Sequence, residues 1–210
     1  MRKTTDIRKS WRFASCAYPA DAVISTNPWV PTTSLSIWDG MDGIPAHDDW
    51  REVDLPHVWN KDCATAAGPK LYEKELELEA PGENNRYYLA FGGVFGLCRV
   101  FVNGRQVAHH LGGHTRFCVD LTDAAVDGVN TVTVFTDNTI FVEINPISGD
   151  FAKYGGIYRE TELIQVGKAH FDTMYYGSLG VLVDTEGNGT TKVTAKGQEY
   201  FLRYFKENYL

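Results

Sequence analysis

Long apolar runs are missing from this 210-residue chain. No stretch reaches the about 20 apolar residues of a spanning helix, so no membrane partner is expected. Charge of one sign is not concentrated either. Acids outnumber bases 27 to 20, for a net charge of −7, with no run of five like charges. A nucleic-acid partner would need a basic face, so none is expected, and the acidic balance bears mainly on solubility. Cysteine is scarce: Cys16, Cys63, Cys98 and Cys118 are the four, and no two have CxxC spacing. The six histidines show neither metalloprotease spacing nor a cysteine at zinc-finger distance, so no metal site is read. There is no GxSxG, no P-loop, no internal repeat and no low-complexity segment. No apolar segment follows Met1-Arg2-Lys3-Thr4-Thr5-Asp6, so no secretory signal is read. A cytoplasmic location with buried free thiols is the simplest expectation, and disulfides are the alternative.

What is present is a chain of short elements. Twenty glycines and eight prolines are spread throughout, and 43% of residues are hydrophobic. That composition can bury one sizeable core and begin a second. Leu76–Glu79 and Arg99–Val102 alternate, and the latter run is followed by Asn103-Gly104. Asn-Gly between two such runs predicts a hairpin, because both residues accept positive φ, with Gln106–His109 as the return strand. Phe117–Leu121 and Asn130–Phe135 predict two more strands, Leu121–Val126 a single helical turn between them, and Ile157–Val166 a closing strand. With no long 3.6-residue periodicity, the pattern favours an all-β antiparallel sandwich over an α/β fold. A boundary is expected near Gly167–His170. Gly180–Val183 and Thr190–Ala195 beyond it read as two strands around a turn, which cannot bury a core alone. Residues 198–210 read as a short amphipathic helix or a tail, and the chain is expected to be part of a longer one.

The richest stretch is Asp150-Phe151-Ala152-Lys153-Tyr154-Gly155-Gly156-Ile157-Tyr158-Arg159. It sets a carboxylate beside two aromatic rings and a paired-glycine turn. Ahead of it stand Trp50 followed by Leu55-Pro56-His57-Val58-Trp59-Asn60, then Leu71-Tyr72-Glu73-Lys74, Phe91-Gly92-Gly93-Val94, Val102-Asn103-Gly104-Arg105, His110–Phe117 and Asp137-Asn138. In this order the motifs resemble the N-terminal sugar-binding domain of family 2 glycoside hydrolases, the β-galactosidase and β-glucuronidase group, over about residues 50–185. The pattern departs at Val58 and in a short Asn60–Tyr72 segment.

The resemblance implies a jelly-roll sandwich over residues 1–168, with residues 169–210 as the partial start of an Ig-like β-domain or a C-terminal tail. The family continues into a (β/α)₈ barrel that carries an acid/base Glu and a nucleophile Glu. Neither a catalytic residue nor a cofactor is therefore expected in this chain. It would be a non-catalytic domain that helps shape the pocket for hydrolysis of a terminal β-glycosidic bond. A β-galactoside-like carbohydrate and the parent enzyme's barrel would be its partners, with homo-oligomers left open. A β-glucuronidase, a β-mannosidase or a stand-alone carbohydrate-binding module are the alternatives.

Three residues are implied on the substrate side. The residue matching Asp150 reaches into the barrel's active-site mouth, binds sugar hydroxyls, and in some members helps hold a monovalent cation. A carboxylate suits this, since it can accept hydrogen bonds from two adjacent hydroxyls; the competing reading is a turn-capping Asp. Asn60 and Asp62 follow Trp59 in a loop that faces the barrel in relatives, with a plain surface turn as the competing reading. Gly155 and Gly156 read as a tight turn, Phe151 and Tyr154 as sugar-stacking or core rings, and Arg159 as a structural ion pair or domain contact. His57 is expected to pack on Trp50 or Trp59.

Overall fold

The computed structural model describes residues 2–25, 32–62, 66–82, 84–144, 153–178, 180–185 and 191–196. Strands dominate. β1 (Lys3–Asp6), β2 (Trp11–Ser15), β3 (Arg51–Val53), β4 (Pro69–Leu78), β5 (Arg86–Phe91), β6 (Gly96–Val102), β7 (Arg105–Gly112), β8 (Phe117–Asp120), β9 (Gly128–Asp137) and β10 (Thr161–Val166) form two antiparallel sheets. One has the order β1-β10-β5-β8 and the other β3-β2-β4-β9-β6-β7. They pack face to face as a jelly-roll β-sandwich. β11 (Val181–Thr185) and β12 (Thr191–Ala195) pair with each other in a separate two-stranded sheet.

The period-2 side-chain pattern explains the core. Tyr72, Leu76, Val100, Val102, Val132 and Val134 of the larger sheet meet Leu89, Phe91, Val119 and Leu163 of the smaller one. The opposite faces are not left wet. Leu71, Leu97, Phe101 and Phe135 are covered by Trp38, Phe141 and Ile144, with Trp38 closing a short 3-10 helix, η1 (Leu35–Trp38). On the smaller sheet, Tyr88, Ala90, Cys118, Ile164 and Val166 form a third cluster. Burial on both faces is why β5 and β6 are nearly continuous apolar runs rather than alternating ones.

The Asn103-Gly104 hairpin forms as the sequence predicts, with φ of 51° and 81° and Val102 paired to Arg105. Asn103 Nδ2 donates to Asn130 Oδ1 (2.9 Å) and Ala124 O (3.1 Å), while Asn103 Oδ1 accepts from Thr131 N (3.0 Å). The turn after β8 closes with Ala124 N and Ala125 N donating to Leu121 O, one helical turn's worth of bonds. The closing strand is shorter than expected. It starts at Thr161, because Ile157 bridges to Val94 and the Tyr158–Glu160 segment turns aside to bond Gly92 and Gly93. The N-terminal strands β1 to β3 and η1 were not foreseen, their patterns being too short to stand out. Of the thiols, Cys98 and Cys118 are buried and Cys16 is half-buried, all three free. Cys63 and the 198–210 segment lie outside the described residues. Among the described residues no helix is long and apolar enough to cross a membrane.

Candidate functional site

At one end of the sandwich the Leu55–Asp62 loop runs beside the segment that leaves the Asp150 region. The join is made mostly of backbone. His57 N donates to Ile157 O (2.9 Å) and Trp59 N to Gly155 O (3.1 Å). Asn60 completes it with both ends of its amide: Nδ2 donates to Lys153 O (2.7 Å) and Oδ1 accepts from Gly155 N (2.8 Å). Asn60 is only 5% exposed, so these bonds are made away from water and each would be costly to leave unmade.

A second amide converges on the same carbonyl. Asn138, just after β9, donates from Nδ2 to Lys153 O (3.4 Å) and Ala66 O (3.2 Å) and accepts at Oδ1 from Gly68 N (3.0 Å). Three chain segments are thus drawn together on two asparagines. The Asp137-Asn138 pair was visible in the sequence, but nothing in its spacing marked Asn138 as a loop anchor.

The paired glycines are required by close approach. A Cβ on Gly155 would lie 2.2 Å from Trp59 Cε2, and one on Gly156 (φ +131°) would lie 2.2 Å from His57 O. Trp59 therefore lies flat against the glycine turn, and its Nε1 is buried with no partner among the described residues. Lys70 Nζ lies 5.7 Å from the Trp59 ring. Beneath this, His57 Nδ1 is 2.8 Å from Tyr72 Oη. The ring partners of His57 are Phe13 (4.8 Å) and Tyr72 (5.7 Å), while Trp50 pairs with His47. Burial, then the nearby Arg51 and Lys61 charges, push the His57 pKa down to about 4, so the ring is neutral at pH 7. Burial also pushes Tyr72 far up, partly offset by the Ile157 amide at its oxygen.

Next to Asn138, Asp137 is fully buried and held by donors: Trp38 Nε1 (3.0 Å), Thr139 N (2.9 Å) and Thr139 Oγ1 (2.6 Å). Burial raises its pKa against these bonds. Its carboxylate is directed into the outer core around Trp38 and serves the fold.

The remaining expected residues fall as follows. Asp62 is exposed on the loop beyond Asn60. Asp150 and Phe151, with the monovalent cation implied beside Asp150, lie outside the described residues; Lys153, three positions on, is held at its carbonyl by Asn60. Tyr154 is 46% exposed and 5.7 Å from Tyr158, so it is a rim ring rather than a core one. Arg159 makes no ion pair among the described residues: it donates from Nη1 to His114 O (2.9 Å) and Gly92 O (3.4 Å) and stacks over Tyr158. No group of three His, Cys, Asp or Glu side chains among the described residues could hold a metal.

The arrangement is thus a braced rim, rigid at its base and open at the Tyr154 and Asp62 side. The family model for the glycosyl hydrolases family 2 sugar binding domain matches residues 10–167. A β-glucuronidase of Bacteroides fragilis is 36% identical over 156 residues, which cover 71% of this chain and 22% of that protein. A β-galactosidase of Thermoanaerobacterium thermosulfurigenes is 34% identical over 139 residues, 60% of this chain and 19% of that protein. Among solved structures, a Bacteroides uniformis β-glucuronidase superposes with a TM-score of 0.68 at 29% identity, over 88% of this chain and 20% of that one. The chain spans about a fifth of the relatives it matches. With that match spanning most of its sandwich, the chain belongs to glycosyl hydrolase family 2, through that family's sugar binding domain.

Proposed function

We propose that the chain is the non-catalytic sugar-binding domain of a retaining β-glycosidase, and that it supplies Asp150 to the substrate pocket. The observation that supports this is the double-amide clamp on Lys153, which fixes the chain three residues after Asp150 at a rim built by the family-matched sandwich. In this reading Asp150 accepts hydrogen bonds from sugar hydroxyls. Asp62 stands on the same rim, and Asn60 contributes by holding the loop. A barrel elsewhere in the whole protein supplies the two carboxylates of the retaining mechanism.

The substrate is a terminal β-galactoside in the first reading. A β-glucuronide is the second, favoured by the Bacteroides fragilis relative's name and its 36% identity. The test is hydrolysis of nitrophenyl β-galactoside and nitrophenyl β-glucuronide by the whole protein, native and Asp150→Ala. Losing one charge-accepting group in the transition state is expected to lower kcat/KM by about 2–4 kcal/mol, with Tm nearly unchanged. An equal loss of stability would instead make Asp150 a turn cap. Cleavage of neither substrate by the native protein would leave a β-mannosidase or a carbohydrate-binding module as the surviving readings.

A further inference from the structure

Away from that rim, residues 171–178 lie against the outer face of the smaller sheet. His170 anchors their start, with Nε2 3.2 Å from Tyr88 Oη and Nδ1 2.9 Å from Gly167 O. Gly177 (φ +62°) approaches the Arg116 and Phe117 backbone so closely that a Cβ would lie 2.9 Å from Arg116 O. Between this strap and β7–β8 runs a groove of about 700 Å³, walled by His110, Arg116, Phe117, Asp172, Tyr175 and Tyr176. It continues through Arg116 and Gly177 into a second hollow of about 590 Å³, where Arg2, Thr4 and Glu162 join the lining.

The groove is aromatic at one end and charged at the other. His110 stacks on Phe117 at 3.9 Å and 11°, and Phe117 stacks on Phe91 at 5.1 Å. Tyr176 stands 84% exposed, edge-on to Tyr175 at 4.9 Å. Its backbone is in the left-handed region, φ 50°, which a tyrosine rarely adopts. An exposed ring held in a strained conformation adds nothing to the core, and such strain is characteristic of binding positions. The strap is held in shape by Asp172, whose Oδ1 accepts from Met174 N (2.9 Å), and by Ser178 N donating to Tyr175 O (2.9 Å). At the charged end Arg116 pairs with Glu162 at 3.3 Å, each about one third exposed.

Rings beside hydrogen-bonding charges suit a saccharide. A pyranose offers a C–H face to an aromatic ring and vicinal hydroxyls to a guanidinium or carboxylate. The turn that leads to Arg116 is tied to the segment that follows the rim: Tyr158 Oη donates to Gly113 O and Arg159 Nη1 to His114 O. We propose that this groove is an accessory saccharide-binding subsite, in which Tyr176 stacks on a sugar ring while Arg116, Glu162 and Asp172 bind its hydroxyls. The choice of saccharide over other ligands rests on the sugar-binding reading above; the subsite itself does not require Asp150.

The chain has three methionines, and Met174 lines the groove at 44% exposure, so its methyl resonance reports occupancy. Titrating β-1,4-galactotetraose, and separately a hyaluronan tetrasaccharide, into the protein should shift the Met174 signal saturably at millimolar concentrations. Tyr176→Gly should weaken that binding about tenfold without lowering Tm, because glycine relieves the left-handed backbone. Asp150→Ala should leave the Met174 titration intact. No shift with either saccharide, or unchanged affinity in Tyr176→Gly, overturns the subsite. Hydrolysis unaffected by Asp150→Ala, with the Met174 titration intact, would fail the pocket reading alone.

Discussion

Two corners of this sandwich are built from the same residue type and do different work. At the β6–β7 hairpin, Asn103 and Asn130 bond to each other and to nearby backbone: Asn130 Oδ1 accepts from Val126 N (2.8 Å), and Nδ2 donates to Val126 O (2.8 Å) and Gly128 O (3.0 Å). Every bond returns to the turns that the strands themselves create, so the corner closes on itself. At the other end, Asn60 bonds across 93 and 95 residues to Lys153 and Gly155, and Asn138 across 72 and 70 residues to Ala66 and Gly68; both amides also meet on Lys153, in a segment that is not part of either sheet. There the amides substitute for a strand ladder and leave a loop mouth held but open. Identical side-chain chemistry thus gives a sealed corner where its partners are local and a braced rim where they are distant.

The sharpest way to break the rim is at the glycine turn. Gly156→Ala is expected to cost roughly 4 kcal/mol of stability, since the new Cβ meets the His57 carbonyl in a backbone conformation alanine avoids. Urea unfolding measures this, and a loss under about 1 kcal/mol would mean that the rim yields easily. Next, Asn130→Ala and Asn60→Ala separate the two corners. Asn130→Ala should cost about 3 kcal/mol, removing a fully buried side chain and leaving the Val126 amide and the Val126 and Gly128 carbonyls without their partner. Its sugar hydrolysis in the whole protein should fall no further than the folded fraction does. Asn60→Ala should cost less, about 2 kcal/mol, because it removes two hydrogen bonds where Asn130→Ala removes four. Its kcat/KM should nonetheless drop well below the folded fraction. Proportional losses in both variants would erase the distinction between sealed corner and braced rim.

The sealed corner was legible in the sequence and the rim was only half so. Asn-Gly between alternating runs announces a hairpin from local backbone preference, and the strands on either side carry their own period-2 pattern. The family resemblance rested on such turns, and the family match bears it out. Most contacts of the rim are 70 or more residues apart, such as Gly68 to Asn138 and Asn60 to Gly155, which no local pattern encodes. Asn60 was marked by its place after Trp59 and Asn138 only by its aspartate neighbour. The cover over the larger sheet, Trp38 with Phe141 and Ile144, was hidden for a similar reason: short irregular segments bury apolar side chains without periodicity. Tyr176 gave no signal at all, since a left-handed backbone at a tyrosine is a property of the strap and not of its composition.

The smallest expected effect concerns pH, and it too falls on the rim alone. The hydrogen-bonding groups that close the Asn103–Asn130 corner include no titrating side chain. The rim contains His57, whose pKa is pushed from 6.5 to about 4 by burial and by Arg51 and Lys61. The folded state therefore resists a proton that the unfolded chain accepts. Stability is full above pH 6.5, falls as pH drops from there toward 4, and levels off below that as far as this group is concerned. Because the ring is only partly buried, solvent screening reduces the expected loss to about 1 kcal/mol. Urea midpoints across that window should show this slope in the native protein and lose it in His57→Gln. The slope should persist in Asn130→Ala, because that corner shares no charge with His57. A slope retained in His57→Gln would assign the pH dependence to other groups, the buried Asp137 beside Asn138 among them.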